Sequence, residues 1–137
     1  MPVVTLTRRC TFSASHRLHS DTLSEVENQK LFGKCNHLNG HGHNYVVEVT
    51  LKGEVDASTG LVMNLATLKQ AMEDTFLKAM DHKHLNLDVP AFQKLNPSVE
   101  NVAVVIWKML SLALLAGLLY EVKVYETENN SATYRGD

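Results

Sequence analysis

Only two cysteines, Cys10 and Cys35, occur in 137 residues, too few for a disulfide framework. No run of Lys and Arg stands out: 13 basic side chains face 15 acidic ones, giving a net charge of −2 with histidine neutral. A nucleic-acid partner is therefore not expected, although a small anionic substrate needs only a few local cations. The one membrane-like stretch, 102–120, is interrupted by Lys108 and falls short of the ~20 apolar residues that span a bilayer. It reads as a buried helix, and no membrane partner is expected. The N-terminus carries its charge, Arg8-Arg9, after a short apolar stretch rather than before it, unlike a secretory signal. A reducing, cytoplasmic location is the expectation. No repeat, low-complexity tract or Pro/Gly-rich linker divides the chain, so 1–137 reads as one domain.

What is present is patterned. Residues 3–16 alternate, with Val4, Leu6, Cys10, Phe12, Ala14 and His16 on one face and Arg8 the exception. A second strand is expected over about 43–54, with Tyr45, Val47, Val49 and Leu51 inward. Between them lies an irregular polar segment with a helical turn near Glu25–Leu31. Asn64 can cap a helix over 65–79, and Ser98 one running to about Leu115 that Gly117 stops. The second helix should carry a broad apolar stripe that includes Leu112 and Ala113. Two strands, 119–128 and 131–135, should follow, joined tightly through Asn129-Asn130. The order strand, strand, helix, helix, strand, strand predicts an α+β domain: a four-stranded antiparallel sheet with two helices on one face. Its open edges suggest an oligomer.

The segment Cys35-Asn36-His37-Leu38-Asn39-Gly40-His41-Gly42-His43 is the richest in chemistry. His41 and His43, two apart, put both imidazoles on the face of Tyr45 and Val47. His16 ends the first strand on its apolar face. Three converging neutral imidazoles would suit zinc, with the fourth position open as in a catalytic site. Separate histidines on a loop-rich rim fit the spacing as well.

Cys35 becomes a base or nucleophile only if a cation or histidinium lowers its pKa; otherwise it is an inert thiol, as Cys10 is expected to be. In Asp81-His82 a carboxylate could orient an imidazole, although adjacent residues seldom bond each other directly and a solvated loop also fits. His84 adds ambiguity. Glu126 shares parity with Val122 and Val124, and an inward carboxylate costs several kcal/mol unless compensated. A ligand with two N–H donors would compensate it; so would bending to water. Arg8-Arg9-Cys10-Thr11 has the spacing of a basophilic kinase site, although a solvent-facing strand residue explains Thr11 equally.

Taken together these residues resemble the 6-pyruvoyl-tetrahydropterin synthase family of eukaryotic type. The matching elements are Phe12-Ser13-Ala14-Ser15-His16-Arg17-Leu18, Lys34-Cys35-Asn36 and Asn39-Gly40-His41-Gly42-His43-Asn44-Tyr45. Val62-Met63-Asn64-Leu65, Met80-Asp81-His82-Lys83, Glu100-Asn101-Val102-Ala103 and Val122-Lys123-Val124-Tyr125-Glu126-Thr127 follow in family order. The resemblance implies the tunnelling fold (T-fold), in which subunits join their sheets into a barrel and two trimeric rings stack as a homohexamer with active sites at the interfaces. It implies His16, His41 and His43 as ligands of Zn2+, Cys35 as general base, Asp81 with His82 as a proton relay from a neighbouring subunit, and Glu126 as anchor of the pterin. The implied substrate is 7,8-dihydroneopterin triphosphate. The implied products are 6-pyruvoyl-tetrahydropterin and triphosphate, on the route to tetrahydrobiopterin. Two departures stand out: Pro97-Ser98-Val99 where animal members carry consecutive threonines, and His37 inside the histidine motif. The rival readings are a 6-carboxy-tetrahydropterin synthase of the queuosine route and a non-catalytic pterin- or zinc-binding protein.

Overall fold

The computed structural model describes residues 2–137. Strand β1, Val3–His16, pairs antiparallel with β2, His41–Glu54, along its whole length. Strand β2 pairs in turn with a later strand, Leu119–Tyr125, and that strand with Ser131–Tyr134. The four expected strands are thus present in the expected order. A two-residue strand, Lys83–His84, adds itself parallel to β1 at Ala14 and Ser15. In chain order it is β3, Leu119–Tyr125 is β4 and Ser131–Tyr134 is β5, and the sheet runs β3-β1-β2-β4-β5. Pro90 and Pro97 predict a loop over 80–97, and the structure corrects this between Lys83 and Phe92. That stretch holds β3, one helical turn at Leu85–Asp88 and a tighter turn at Pro90–Phe92. Leu85, Val89 and Phe92 bury themselves beneath it. Their spacing is too irregular to signal a helix or a strand.

The alternation of β1 and β2 places Phe12, Ala14 and His16 beside Tyr45, Val47, Val49 and Leu51 on one buried face. Burial begins at Phe12; Val4 is 42% exposed, so the start of β1 reaches past the apolar layer. Helix α1, Glu25–Phe32, extends the expected helical turn and starts in a capping box of Ser24 with Glu27.

Helix α2, Leu65–Met72, is capped by Asn64, whose Oδ1 accepts from the Ala66 N–H at 2.8 Å. It continues through a π-helical turn, Glu73–Leu77, into Lys78–Met80. Its buried residues Leu68, Met72, Phe76 and Met80 are spaced by four. A regular α-helix advances about 100° per residue, so fours drift around the axis. The wider π turn takes up that drift and keeps all four side chains on the sheet.

Helix α3, Val99–Ala113, begins at Ser98, whose Oγ accepts from the Asn101 N–H. It buries Val102, Ala103, Val105, Ile106 and Leu110. The broad stripe is narrower than the sequence suggested, because Leu112 is 91% exposed and Ala113 is exposed too. Strand β4 likewise ends at Tyr125 rather than 128, and residues 126–130 make the turn, with the Glu126 N–H donating to the Asn130 carbonyl. Glu126 thus stands at the mouth of that turn, just past the end of β4.

Candidate metal centre and active site

The β1–β2 register sets His16 opposite His41 and Ala14 opposite His43. All three imidazoles leave the sheet on its buried face and meet nearly edge to face, with ring centroids 4.7–5.1 Å apart. In the next pairing Val46 faces Tyr125, so Glu126 emerges beside Tyr45 and reaches the same point. One ligand atom from each of His16, His41, His43 and Glu126 lies within 4.8 Å of the others. The Glu126 carboxylate is 3.0 Å from His43 Nε2 and 3.8 Å from His16 Nε2.

His16 is fully buried, and its Nδ1 lies 2.7 Å from the Pro97 carbonyl oxygen. A carbonyl only accepts, so Nδ1 carries the proton and Nε2 presents a lone pair. That Nε2 is buried without a hydrogen-bond partner, as is His41 Nδ1. An orphaned buried acceptor costs about 1–3 kcal/mol. Imidazole lone pairs, a carboxylate and an outer carbonyl that fixes a tautomer form a donor set that fits a divalent metal ion. These four side chains could hold one.

Burial lowers His16 to a pKa of about 4 against the partial offset of the Pro97 hydrogen bond; burial and then His43 lower His41. Both groups are therefore neutral near pH 7, the form in which imidazole binds metal.

Cys35 lies in a short turn, Gly33–Asn36, between α1 and β2. It is half-buried, and its thiol is raised first by burial and then by the charge of Glu126, so the structure places Cys35 within the field of the cluster. Burial raises the mid-strand Cys10 to about 11, the direction that favours an unreactive thiol.

Asp81 and His82 do not join the cluster within one chain. They sit at the β1 edge, where Asp81 Oδ1 accepts from the Ser13 N–H at 3.0 Å and the His82 N–H donates to the Ser13 carbonyl. These neighbours do approach each other, with His82 Nδ1 3.0 Å from Asp81 Oδ1. The left-handed backbone of His82, φ 63°, turns the ring back onto the preceding carboxylate. The ring stays largely exposed.

His37 is also outside the cluster, its Nδ1 accepting from the Asn39 N–H in the turn before Gly40. Sequence reasoning missed two supporting groups. One is the Pro97 carbonyl, which no local signal announces. The other is Tyr45, whose hydroxyl approaches His16 Nδ1 at 3.3 Å and whose ring stacks on Phe12; its parity with His43 was the available signal. Beside the cluster a cleft of about 710 Å³ is lined by His43, Asn44, Tyr125, Glu126 and Thr127 among others.

Residues 5–137 match the family model described as 6-pyruvoyl tetrahydropterin synthase. A human protein named 6-pyruvoyl tetrahydrobiopterin synthase is 57% identical over 132 residues, covering 96% of this chain and 91% of that one. The Drosophila melanogaster protein of the same name is 52% identical, over 98% of this chain and 81% of its own. The solved structure of Caenorhabditis elegans 6-pyruvoyl tetrahydropterin synthase superposes with a TM-score of 0.96 at 46% identity, over 100% of this chain and 98% of that one. Fold, histidine geometry and similarity along nearly the whole chain agree, and the chain belongs to the 6-pyruvoyl tetrahydropterin synthase family of enzymes.

Proposed function

We propose that the chain is a zinc-dependent lyase that converts 7,8-dihydroneopterin triphosphate to 6-pyruvoyl-tetrahydropterin and inorganic triphosphate, in the cytoplasm and on the route to tetrahydrobiopterin. The observation that carries this reading is the convergence of His16, His41 and His43, with His16 Nε2 buried and unpartnered. Bound at these imidazoles, zinc supplies Lewis acidity to the hydroxyls of the substrate side chain, so that neighbouring C–H protons can be removed.

The chain's own groups do the rest. Glu126 accepts the two N–H donors of the pterin's 2-amino and N3 edge, a bidentate and charge-assisted contact. Its place at the end of β4, lining the cleft, supports this role over that of a permanent fourth ligand. Pterin N–H groups on that carboxylate also offset the charge that raises the Cys35 thiol. Cys35 then acts as the base that takes the side-chain proton. No redox cofactor is required, because the side chain is oxidised within the substrate itself.

Asp81 and His82 stand as a close acid–base pair on an exposed edge, which suits a relay delivered to a neighbouring subunit's site. The homohexamer of two stacked trimers draws support from β1, which the two-residue β3 pairs only at Ala14 and Ser15. The rest of that outer edge offers backbone groups for joining sheets between subunits.

Incubation of purified protein with 7,8-dihydroneopterin triphosphate, product mass and metal content decide the reading. The expected result is 6-pyruvoyl-tetrahydropterin from protein carrying one zinc per chain. A carboxylated pterin would move the assignment to 6-carboxy-tetrahydropterin synthase, and no turnover by zinc-loaded protein would leave a binding protein.

A further inference from the structure

Beside His16 lies a second concavity, of about 550 Å³, that shares no lining residue with the Glu126 cleft. It is tied to the histidine cluster at several points. Arg17 directly follows His16, Asn96 precedes the Pro97 whose carbonyl holds His16, and the charge of His84 is felt at His16.

The pocket is built rather than incidental. Asn86 clamps the Arg17 backbone from both sides, accepting from its N–H at 2.8 Å and donating to its carbonyl at 2.9 Å. The Arg17 guanidinium uses only Nε, which donates to the Asn36 carbonyl. Its two terminal nitrogens have no partner among the described residues. Lys94 is exposed in the same wall and is likewise without an ion pair there. His84 Nδ1 is buried and unpartnered.

The one acidic group in the wall, Asp21, stands beside His19 at the solvent-exposed rim. Asn36 Nδ2 can only donate, so His19 Nδ1 accepts from it, and the His19 Nε2–H turns to Asp21 at 3.5 Å. The Asp21 side chain is fully solvated. Two cations and a half-buried imidazole therefore line the cavity, and the local charge is positive in a chain that is acidic overall.

We propose that this pocket receives the polyphosphate tail of the substrate, recognised by Arg17, His84 and Lys94. The inference rests on the pterin reading above and extends it. The substrate is a ring, then a short hydroxylated chain, then triphosphate. The chain presents, in the same order, the Glu126 cleft, the three histidines and this basic pocket. Guanidinium and ammonium groups are the partners that phosphate oxygens take.

The test compares two fluorescent, unreactive ligands, neopterin triphosphate and neopterin, titrated into metal-loaded protein at low and high salt. The phosphorylated ligand should bind at least about tenfold tighter at low salt, and the difference should shrink as salt screens it. Lys94→Ala and Arg17→Gln should each cut that advantage by about tenfold while leaving neopterin affinity in place. Lys94 is exposed, so its variant stays informative even if Arg17→Gln disturbs folding. If Lys94→Ala and a folded Arg17→Gln keep the full advantage, or weaken both ligands equally, the pocket is not the phosphate site, although the pterin reading survives. If neither ligand binds metal-loaded wild-type protein, the pterin reading falls and this inference with it.

Discussion

His16 and Pro97 stand 81 positions apart in the chain, yet the His16 Nδ1–H donates to the Pro97 carbonyl at 2.7 Å inside the core. The loop before α3 thus sets the tautomer of a residue that ends β1, and with it the direction in which the free lone pair points.

A pH dependence of the metal-free protein follows. Folded His16 titrates near 4, below its ordinary 6.5, because burial opposes its charge. Its neutral form stabilises the fold fully above pH 6.5, and that contribution is lost as pH falls from 6.5 through about 4, where folded His16 itself protonates. Integrated over that window the loss is about 3 kcal/mol. Urea unfolding of apoprotein at pH 7.5 and 4.5 should show wild type losing clearly more stability than His16→Gln. Parallel losses in the two proteins would overturn the assignment to His16.

Gly40 holds the turn that delivers His41. Its φ is +76°, and an added Cβ would meet the His16 carbonyl oxygen at 2.8 Å and His84 Nε2 at 3.0 Å. Gly40→Ala should cost about 1–3 kcal/mol of stability, lower Tm and weaken zinc binding by displacing His41. Gly60 has a similar φ of +73° with nothing within 4 Å, so Gly60→Ala should keep its metal. Equal zinc affinity in both variants would show that the turn does not position His41.

The parts of the site that were legible in the sequence are those that a period of two can carry. His41, His43 and Tyr45 share a face by parity alone, and His16 ends the apolar face of β1. The same parity aimed Glu126 correctly, although its strand ends at Tyr125. What stayed hidden depends on long-range closure. Nothing local announces that the Pro97 carbonyl will reach His16, or that His82 will adopt a left-handed backbone and fold onto Asp81. The short elements between Lys83 and Phe92 were missed for a related reason: none is longer than four residues, so no periodicity can build up. Leu112 shows the opposite error, an apolar residue in a helical stripe with nothing packed over it.

The two thiols should separate chemically. Burial pushes Cys10 up to about 11, whereas Cys35, also raised, sits beside the cluster. Iodoacetamide at pH 8 followed by peptide mass analysis should label Cys35 well before Cys10; comparable rates would contradict the burial argument. Cys35→Ala should keep its zinc and lose turnover by roughly 10²–10⁴-fold, the scale of a lost general base.

Glu126 offers the sharpest separation of two roles, since its carboxylate touches the histidines and also lines the cleft. If it anchors the pterin, Glu126→Gln should retain one zinc per chain and bind neopterin about tenfold or more weakly, because an amide cannot accept both N–H donors. If it is a required ligand, zinc affinity should fall instead. A third reading comes from Cys35, whose thiol the Glu126 charge raises. Removing that charge favours the thiolate, so the Cys35 pKa should fall and alkylation at fixed pH should quicken. Weaker pterin binding with faster Cys35 labelling and intact zinc is the combined outcome expected; loss of zinc would transfer Glu126 to the metal.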